Sequence, residues 1–525
     1  MHWADVVAEA LIKRGKRHVI ASGTSISGQP HLGSAGDVIY AEVIARAVRD
    51  AGGEAEVIWI RDDMDPLRSV PEQLPAGFEA HLGKPVCDLP GIEGKGYVEH
   101  FSRPFLRALA ELGVRPRVVS GAEMYRGGAA EGIVREALGK APEVRRILEE
   151  VSGTTHAEDW LPFQPVCAHC GRIATTHAYG QDPEGRVLYR CTGGIAGNKE
   201  IAGCGYEGAA TLRDGKLSWR LDWSGRWKIL GVTCEPFGKD HAAAGGSWDT
   251  ATLLTERIFN YPAPVPVIYE HIFVGGEKMS KSRGNVVTME EFLAVAPPEA
   301  VRYFFVRTDP RKHKEFEWTR VPPIIEDYEQ AERIYFGIEK AFSEKEEPDI
   351  KRAYELSQVE QVPGSYFQVP YRHLLVVVQT AGDWEGVRQV LARSGHLRGI
   401  SREHEANLAV KAASAHRWVA RHAPDHMRFE LAAKPPDIHL TPEELRALRA
   451  LEPLLEKVSW DASALHDLVY AASESASLPP KTTFRALYRI FLGKDRGPRM
   501  GYFLEALERE FVMGRIGFYA GREKD

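Results

Sequence analysis

The stretch from His18 to Ile60 constrains the fold most. His18-Val-Ile-Ala-Ser22 reads as a buried strand, and Gly23 to Pro30 as a glycine-containing turn. His31-Leu-Gly-Ser34 opens a long helix, Ala35 to Ala51, that stops at Gly52-Gly53, and Ala55 to Ile60 is a second strand. Strand, turn, helix and strand in this order form a βαβ unit. Right-handed crossover then predicts a parallel sheet whose ligand site lies outside the strand C-termini. The turn glycines let backbone approach a phosphate, and the helix N-terminus adds positive partial charge there, with His31 at the mouth. A short helix, Asp5 to Arg14, precedes the unit.

A second stretch offers cations to such a ligand. Val267 to Val274 reads as a buried strand and leads into Gly275-Gly276, Lys278, Ser280, Lys281, Ser282 and Gly284. Two ammonium groups and several hydroxyls on a glycine-flanked loop suit a polyphosphate whose charge grows as pyrophosphate departs. Thr288 and Glu291 have the spacing of a capping box, so a helix follows the loop.

The cysteines point to a metal. Four of the six, Cys167, Cys170, Cys191 and Cys204, fall in one window, too few for a disulfide scaffold in 525 residues. Cys-x-x-Cys places two thiolates on one knuckle, and a second pair closes a tetrahedral zinc site; His169 and His177 are rival ligands. The module runs from about Val166 to Leu212, and its zinc is expected to be structural. Cys87 and Cys234 read as ordinary buried thiols.

The remaining features are less specific. Arg61 to Arg68 is acidic at a strand end, read equally as a helix-capping turn or a substrate contact. Tyr97 to Leu112 reads as an amphipathic helix, Arg117 to Ser120 as a strand, and Glu123 and Tyr125 as pocket lining. Leu217 to Trp227 carries Trp219, Trp223 and Trp227 among charges, and a strand, Ile229 to Cys234, follows. That stretch reads as an exposed amphipathic strand or as the wall of a pocket for a side chain with an apolar stem and charged tip. Arg320 to Glu344 reads as helix, Lys345 to Gly364 as a linker, and nearly everything beyond Tyr371 as helical. Lys481 to Arg499 mixes basic and aromatic residues that suit phosphate and unpaired bases, or a solvated helix face. A net charge of −6 gives no global sign of nucleic-acid binding. The chain shows no targeting segment and no apolar run long enough for a bilayer, so a cytoplasmic protein without membrane contact is expected.

Lys278-Met-Ser-Lys-Ser282 resembles the KMSKS signature of class I aminoacyl-tRNA synthetases, and Pro30-His-Leu-Gly-Ser34 resembles their HIGH motif, with Ser34 in place of the last histidine. Nearly the whole chain resembles class I lysyl-tRNA synthetases of the archaeal type. The resemblance implies ATP-dependent activation of L-lysine as lysyl-adenylate and transfer to the 3′ end of tRNA-Lys, with Mg²⁺ accompanying the ATP and a cysteine-rich insert. It implies that His31, Lys278 and Lys281 are catalytic, and that Gly23, Ser25, Trp219, His241 and Tyr269 hold lysine, Ser25 replacing the more usual threonine. His31, Gly33, Ser34, Gly238, Asp240, Lys278, Ser280 and Lys281 would bind ATP. A monomer is expected. The implied fold is α/β: a Rossmann-type catalytic domain in two halves (residues 1–165 and 213–320) around a zinc-binding insert (166–212). A connecting segment (321–370) and an all-α anticodon-binding domain (371–525) follow. The alternatives are a glutamyl-type synthetase or a base-modifying relative, which the aromatic pocket and complete helical half disfavour. A non-catalytic tRNA-binding paralogue is disfavoured by the intact His31, Lys278 and Lys281.

Overall fold

The computed structural model describes residues 1–71, 74–75, 77–279 and 286–521. It divides into two compact units, one built from residues 1–291, 302–316 and 340–362, the other from 292–301, 317–339 and 363–525.

The first unit is organised by a five-stranded sheet. Its strands are β1 (Arg17–Thr24), β2 (Glu54–Arg61), β3 (Arg117–Ser120), β4 (Val232–Gly238) and β5 (Val265–Tyr269), in the order β3-β2-β1-β4-β5. Every pairing is parallel. The order turns back between β1 and β4, the switch point of a doubly wound sheet, where the strand C-termini leave a crevice. Helix α1 (Trp3–Ile12) precedes the sheet, and α2 (Leu32–Asp50) carries the β1-to-β2 crossover, burying Val38, Ile39, Val43, Ile44 and Val48. Arg302, fully buried, donates to Glu42 of α2 at 2.7 Å and to the carbonyls of Leu112 and Leu356 at 2.9 and 2.8 Å. A buried guanidinium is tolerated because each of these acceptors repays part of its lost hydration.

Several expected boundaries are corrected. The tryptophan-rich stretch is helix α3 (Trp219–Leu230), ended by Gly231 at a left-handed φ of 67°, and the strand after it starts only at Val232. Trp219, Trp223 and Trp227 recur every fourth residue, so they share one helix face; the rings of Trp219 and Trp223 stack at 5.5 Å, and Trp227 is fully buried. The single strand expected over Val267–Val274 is two. β5 ends at Tyr269, and Ile272–Val274 joins a separate sheet with Glu277–Lys278 and Lys314–Phe316. The helix expected over Arg320–Glu344 runs Val321–Tyr335, and the expected linker contains a helix, Glu347–Ser357. Arg352 fastens the latter to α1 and α2 through Asp5 at 3.0 Å and Asp50 at 2.7 Å.

The Asp62–Asp65 turn is buried, and its helix-capping reading holds at Asp63, whose carboxylate takes the Ala122 amide at the start of the helix Gly121–Arg126. Asp62 pairs with Arg226, Asp65 accepts from Lys216 at 2.6 Å, and Asp63 accepts from Ser120 Oγ and the Ala122 amide, both at 2.7 Å. Tyr125, expected to line a pocket, is buried and donates to Asp222 at 2.7 Å. Glu123 serves the turn after β3, its amide capped by Ser120 Oγ at 3.1 Å. These residues form a paired ionic network beneath the β2 terminus.

The second unit is helical beyond residue 371 among the described residues, from Tyr371–Ala381 through Arg509–Ala520. Thr441 and Glu444 form a reciprocal capping box at Pro442–Leu455. In the basic stretch, Pro480–Leu492 is helix, but Arg485 and Arg489 are bound to the buried Glu444 at 2.8 and 2.7 Å. Fewer of its charges therefore face outward than the sequence suggests.

Candidate active site and cysteine cluster

His31 is the N-cap of α2. Its Nδ1 accepts from the amides of Gly33 at 3.0 Å and Ser34 at 3.4 Å. Because backbone N–H groups can only donate, Nδ1 must be the bare nitrogen, which makes Nε2 the protonated, donating one. Gly33 is required here: a Cβ on it would lie 2.9 Å from His31 Cε1, so any side chain would displace the ring. Capping and a role in the cavity are thus combined in one residue.

His31, Gly33 and Ser34 line a cavity of about 290 Å³ together with Gly238, Asp240, His241, Tyr269 and Lys278. The wall is assembled at the switch point: α2 starts after β1, Gly238 ends β4, and Tyr269 ends β5. Lys278 donates to Asp240 Oδ2 at 2.6 Å, and His271 Nε2 lies 2.9 Å from Asp240 Oδ1 and 3.2 Å from Lys278 Nζ. That Nε2 serves one partner at a time, donating to Asp240 when protonated and accepting from Lys278 when bare. The Lys278 hydrogen bond, aided by His271 and opposed by burial, holds the Asp240 carboxyl below its ordinary range. Burial pushes the His241 imidazole below its ordinary range, and its ring lies 6.0 and 5.5 Å from those of Trp219 and Trp223.

The other expected residues stand as follows. Trp219 meets the cavity only through His241. Gly23 lies on β1, where a Cβ would sit 3.6 Å from the Ile60 carbonyl, and Ser25 is in the turn after it; neither is among the lining residues. Ser280 and Lys281 lie outside the described residues. Thr288 and Glu291 cap the following helix as expected, with Glu291 N 3.2 Å from Thr288 Oγ1 and Thr288 N 2.8 Å from Glu291 Oε2.

The cavity also contains groups that sequence reasoning missed. Asp37 and Tyr40 line it, three and six residues beyond Ser34 on the same face of α2. Asp37 is half-buried, with Tyr269 donating to it, yet its buried Oδ1 has no partner. Burial raises its carboxyl well above the ordinary range, with the Tyr269 hydrogen bond opposing and Glu235 adding to the rise. Glu235, one strand over, accepts from the indoles of Trp223 at 3.0 Å and Trp227 at 2.5 Å, and burial pushes it up to about 7.

Cys167, Cys170, Cys191 and Cys204 come together, their sulfurs all within 4.8 Å of one another. Cys167 and Cys204 are 3.6 Å apart, Cys170 and Cys191 3.7 Å. A tetrahedron with zinc–sulfur bonds of about 2.3 Å has edges of about 3.8 Å, so the quartet fits the ion. The Cys204 amide lies 3.5 Å from Cys191 Sγ, a donor suited to a thiolate. His177 is turned to the Gly193 carbonyl at 2.9 Å and His169 faces Tyr206, so neither joins the quartet. No helix of the described residues is long and apolar enough to cross a membrane.

Residues 1–360 match the family model described as tRNA synthetases class I (K). The chain is 40% identical to a lysine--tRNA ligase of Archaeoglobus fulgidus, covering 98% of this chain and 99% of that one. It is 36% identical to a lysine--tRNA ligase of Methanosphaera stadtmanae, with 98% and 99% covered. Lysine--tRNA ligase 1 of Methanosarcina acetivorans is 37% identical, with 98% of each chain covered.

Proposed function

The chain belongs to the class I (K) tRNA synthetases, and from that membership we propose that it activates L-lysine with ATP and transfers the lysyl group to the 3′ end of tRNA-Lys. The observation that carries this reading is the meeting of His31, Gly33 and Ser34 with Gly238, Asp240, Tyr269 and Lys278 around one cavity at the sheet's switch point.

Activation is an in-line displacement at the ATP α-phosphate by the lysine carboxylate. It needs no covalent enzyme intermediate; positioning and charge stabilisation supply the rate. His31, with Nδ1 tied to the start of α2, presents Nε2–H to phosphate oxygens as charge develops. Gly33 and Ser34 bring the helix N-terminus to the same oxygens. Lys278 and Lys281 neutralise pyrophosphate, and Asp240 and Gly238 hold the adenylate ribose. Mg²⁺ arriving with the ATP would neutralise phosphate charge. Tyr269, His241 and Trp219 enclose the lysine stem, with Gly23 and Ser25 completing the amino-acid site.

We assign a substrate ammonium to Asp37, whose buried, partnerless Oδ1 is an acceptor lacking its donor. The acids at the wall, Asp37, Asp240 and Glu270, suit a cationic side chain and disfavour glutamate. The cysteine quartet holds a structural zinc, and the helical unit, through the outward part of Lys481–Arg499, meets the anticodon end of the tRNA. Charging of a tRNA-Lys transcript with labelled lysine tests this reading: acid-stable label on the transcript supports it. Absence of charging with active ATP hydrolysis would place the chain outside aminoacylation.

A further inference from the structure

We propose that His373, His396 and Glu505 form a metal site in the helical unit, taking a first-row divalent cation of the zinc type. His373 lies on the helix Tyr371–Ala381 and Glu505 on Met500–Ala506. His396 sits in the turn after Trp384–Arg393, fixed by its amide's hydrogen bond to the Leu391 carbonyl at 2.9 Å. Three separate segments thus converge on one point, with one donor atom from each residue all within 4.8 Å of the others.

Each imidazole approaches a different oxygen of the same carboxylate at about the ligand-to-ligand spacing of a metal site. His373 Nδ1 is 3.3 Å from Glu505 Oε2, and His396 Nε2 is 3.2 Å from Glu505 Oε1. Zinc bonds of about 2.0–2.1 Å give tetrahedral edges of about 3.3–3.4 Å. Burial supplies the second argument. His373 is 0% and Glu505 3% exposed. Neither ring nitrogen of His373 has a hydrogen-bond partner, and neither does Glu505 Oε2, despite its closeness to His373 Nδ1. Orphaned buried polar atoms are uncommon because each forfeits its hydration without return. A cation between them satisfies the carboxylate and one nitrogen of each ring at once.

Two imidazoles and a carboxylate select zinc, cobalt or nickel over magnesium or calcium. Three protein ligands leave a fourth position for water, and His396, whose side chain is 24% exposed, marks the side open to solvent. The site serves as a clamp on three helical segments, because binding energy at such a site is folding energy. It is independent of the cysteine quartet, which lies in the other unit and offers sulfur only.

The test counts metal per chain in wild type, His396→Ala and Glu505→Gln, after zinc loading and desalting. His396→Ala changes the least buried ligand, and His396→Cys provides a ligand-preserving control in case Glu505→Gln perturbs the fold. We expect His396→Ala and Glu505→Gln each to hold one zinc fewer than wild type, with affinity at this site reduced at least about a hundredfold, and His396→Cys to retain it. In cobalt-loaded protein the thiolate-to-cobalt absorption of the quartet should be unchanged in His396→Ala. Equal metal content in wild type and His396→Ala would overturn the proposal, whatever the cysteine quartet contains.

Discussion

Lys278 Nζ lies 2.6 Å from Asp240 Oδ2, which tethers the first lysine of the glycine-flanked loop to the residue pair just beyond β4. Both side chains are more than half exposed, so the pair adds little to stability; exposed ion pairs contribute under about 1 kcal/mol. Its value lies in aiming the ammonium at the cavity. Asp240→Asn should therefore lower kcat/KM for adenylate formation about 10- to 100-fold, the effect of a lost charge-assisted hydrogen bond. Tm should move by no more than about 3 °C. Exchange kinetics and differential scanning calorimetry check both halves, and a large fall in Tm with unchanged kinetics would make the pair purely structural.

Asp37 leads to a proton-linkage prediction. Burial raises its carboxyl in the free protein, so an arriving ammonium lowers that pKa and drives a proton out. Lysine affinity should rise with pH through the free-protein pKa of Asp37 and level off above it. Calorimetry in buffers of different ionisation enthalpy should show proton release below the free-protein pKa of Asp37. Asp37→Asn should abolish the release and weaken lysine binding about 100-fold. Release that persists in the variant would mean another group titrates.

How far the sequence could go is visible in these same residues. His31 and Lys278 were legible because each is part of a contiguous motif whose strand and helix context is also local. Asp37 and Tyr40 could have been read by extending the helix period from Ser34, since residues three and six further on share its face. The Trp219–Trp227 helix was masked by alternating charges, although the four-residue tryptophan spacing favours a helix. The break after Tyr269 falls at Glu270-His271, a polar pair inside the β-branched and aromatic run that a single-strand reading passes over. His373 and Glu505 meet only through tertiary packing of helices far apart in the chain, which leaves no spacing to find.

Glu235 should make stability pH-dependent. Its folded pKa of about 7 lies above its ordinary 4.5, so the folded protein binds the extra proton between those values. Stability then falls as pH rises from about 4.5 to 7, by a total of about 3 kcal/mol, and is flat above. Glu235→Gln should remove that slope in chemical denaturation from pH 5 to 8. It should also lower stability throughout, because one indole N–H loses an acceptor. An unchanged slope would exclude Glu235 as its source.

The cysteine quartet predicts zinc bound through sulfur, and Cys167→Ala should lose that ion. Because metal binding there is folding energy, protease susceptibility should increase within residues 166–212 while the sheet stays protected. Fresh wild-type protein with no sulfur-coordinated zinc by X-ray absorption would contradict this.

The most direct test of the central claim is ATP–pyrophosphate exchange by the purified protein against each of the twenty amino acids. Aromatic walls around a four-carbon stem, with Asp37 accepting an ammonium, predict exchange driven by L-lysine and none by glutamate. Ornithine, one methylene shorter, should be disfavoured by only about tenfold. Exchange driven by glutamate and not by lysine would contradict the account and move the chain to the glutamyl branch of the same fold.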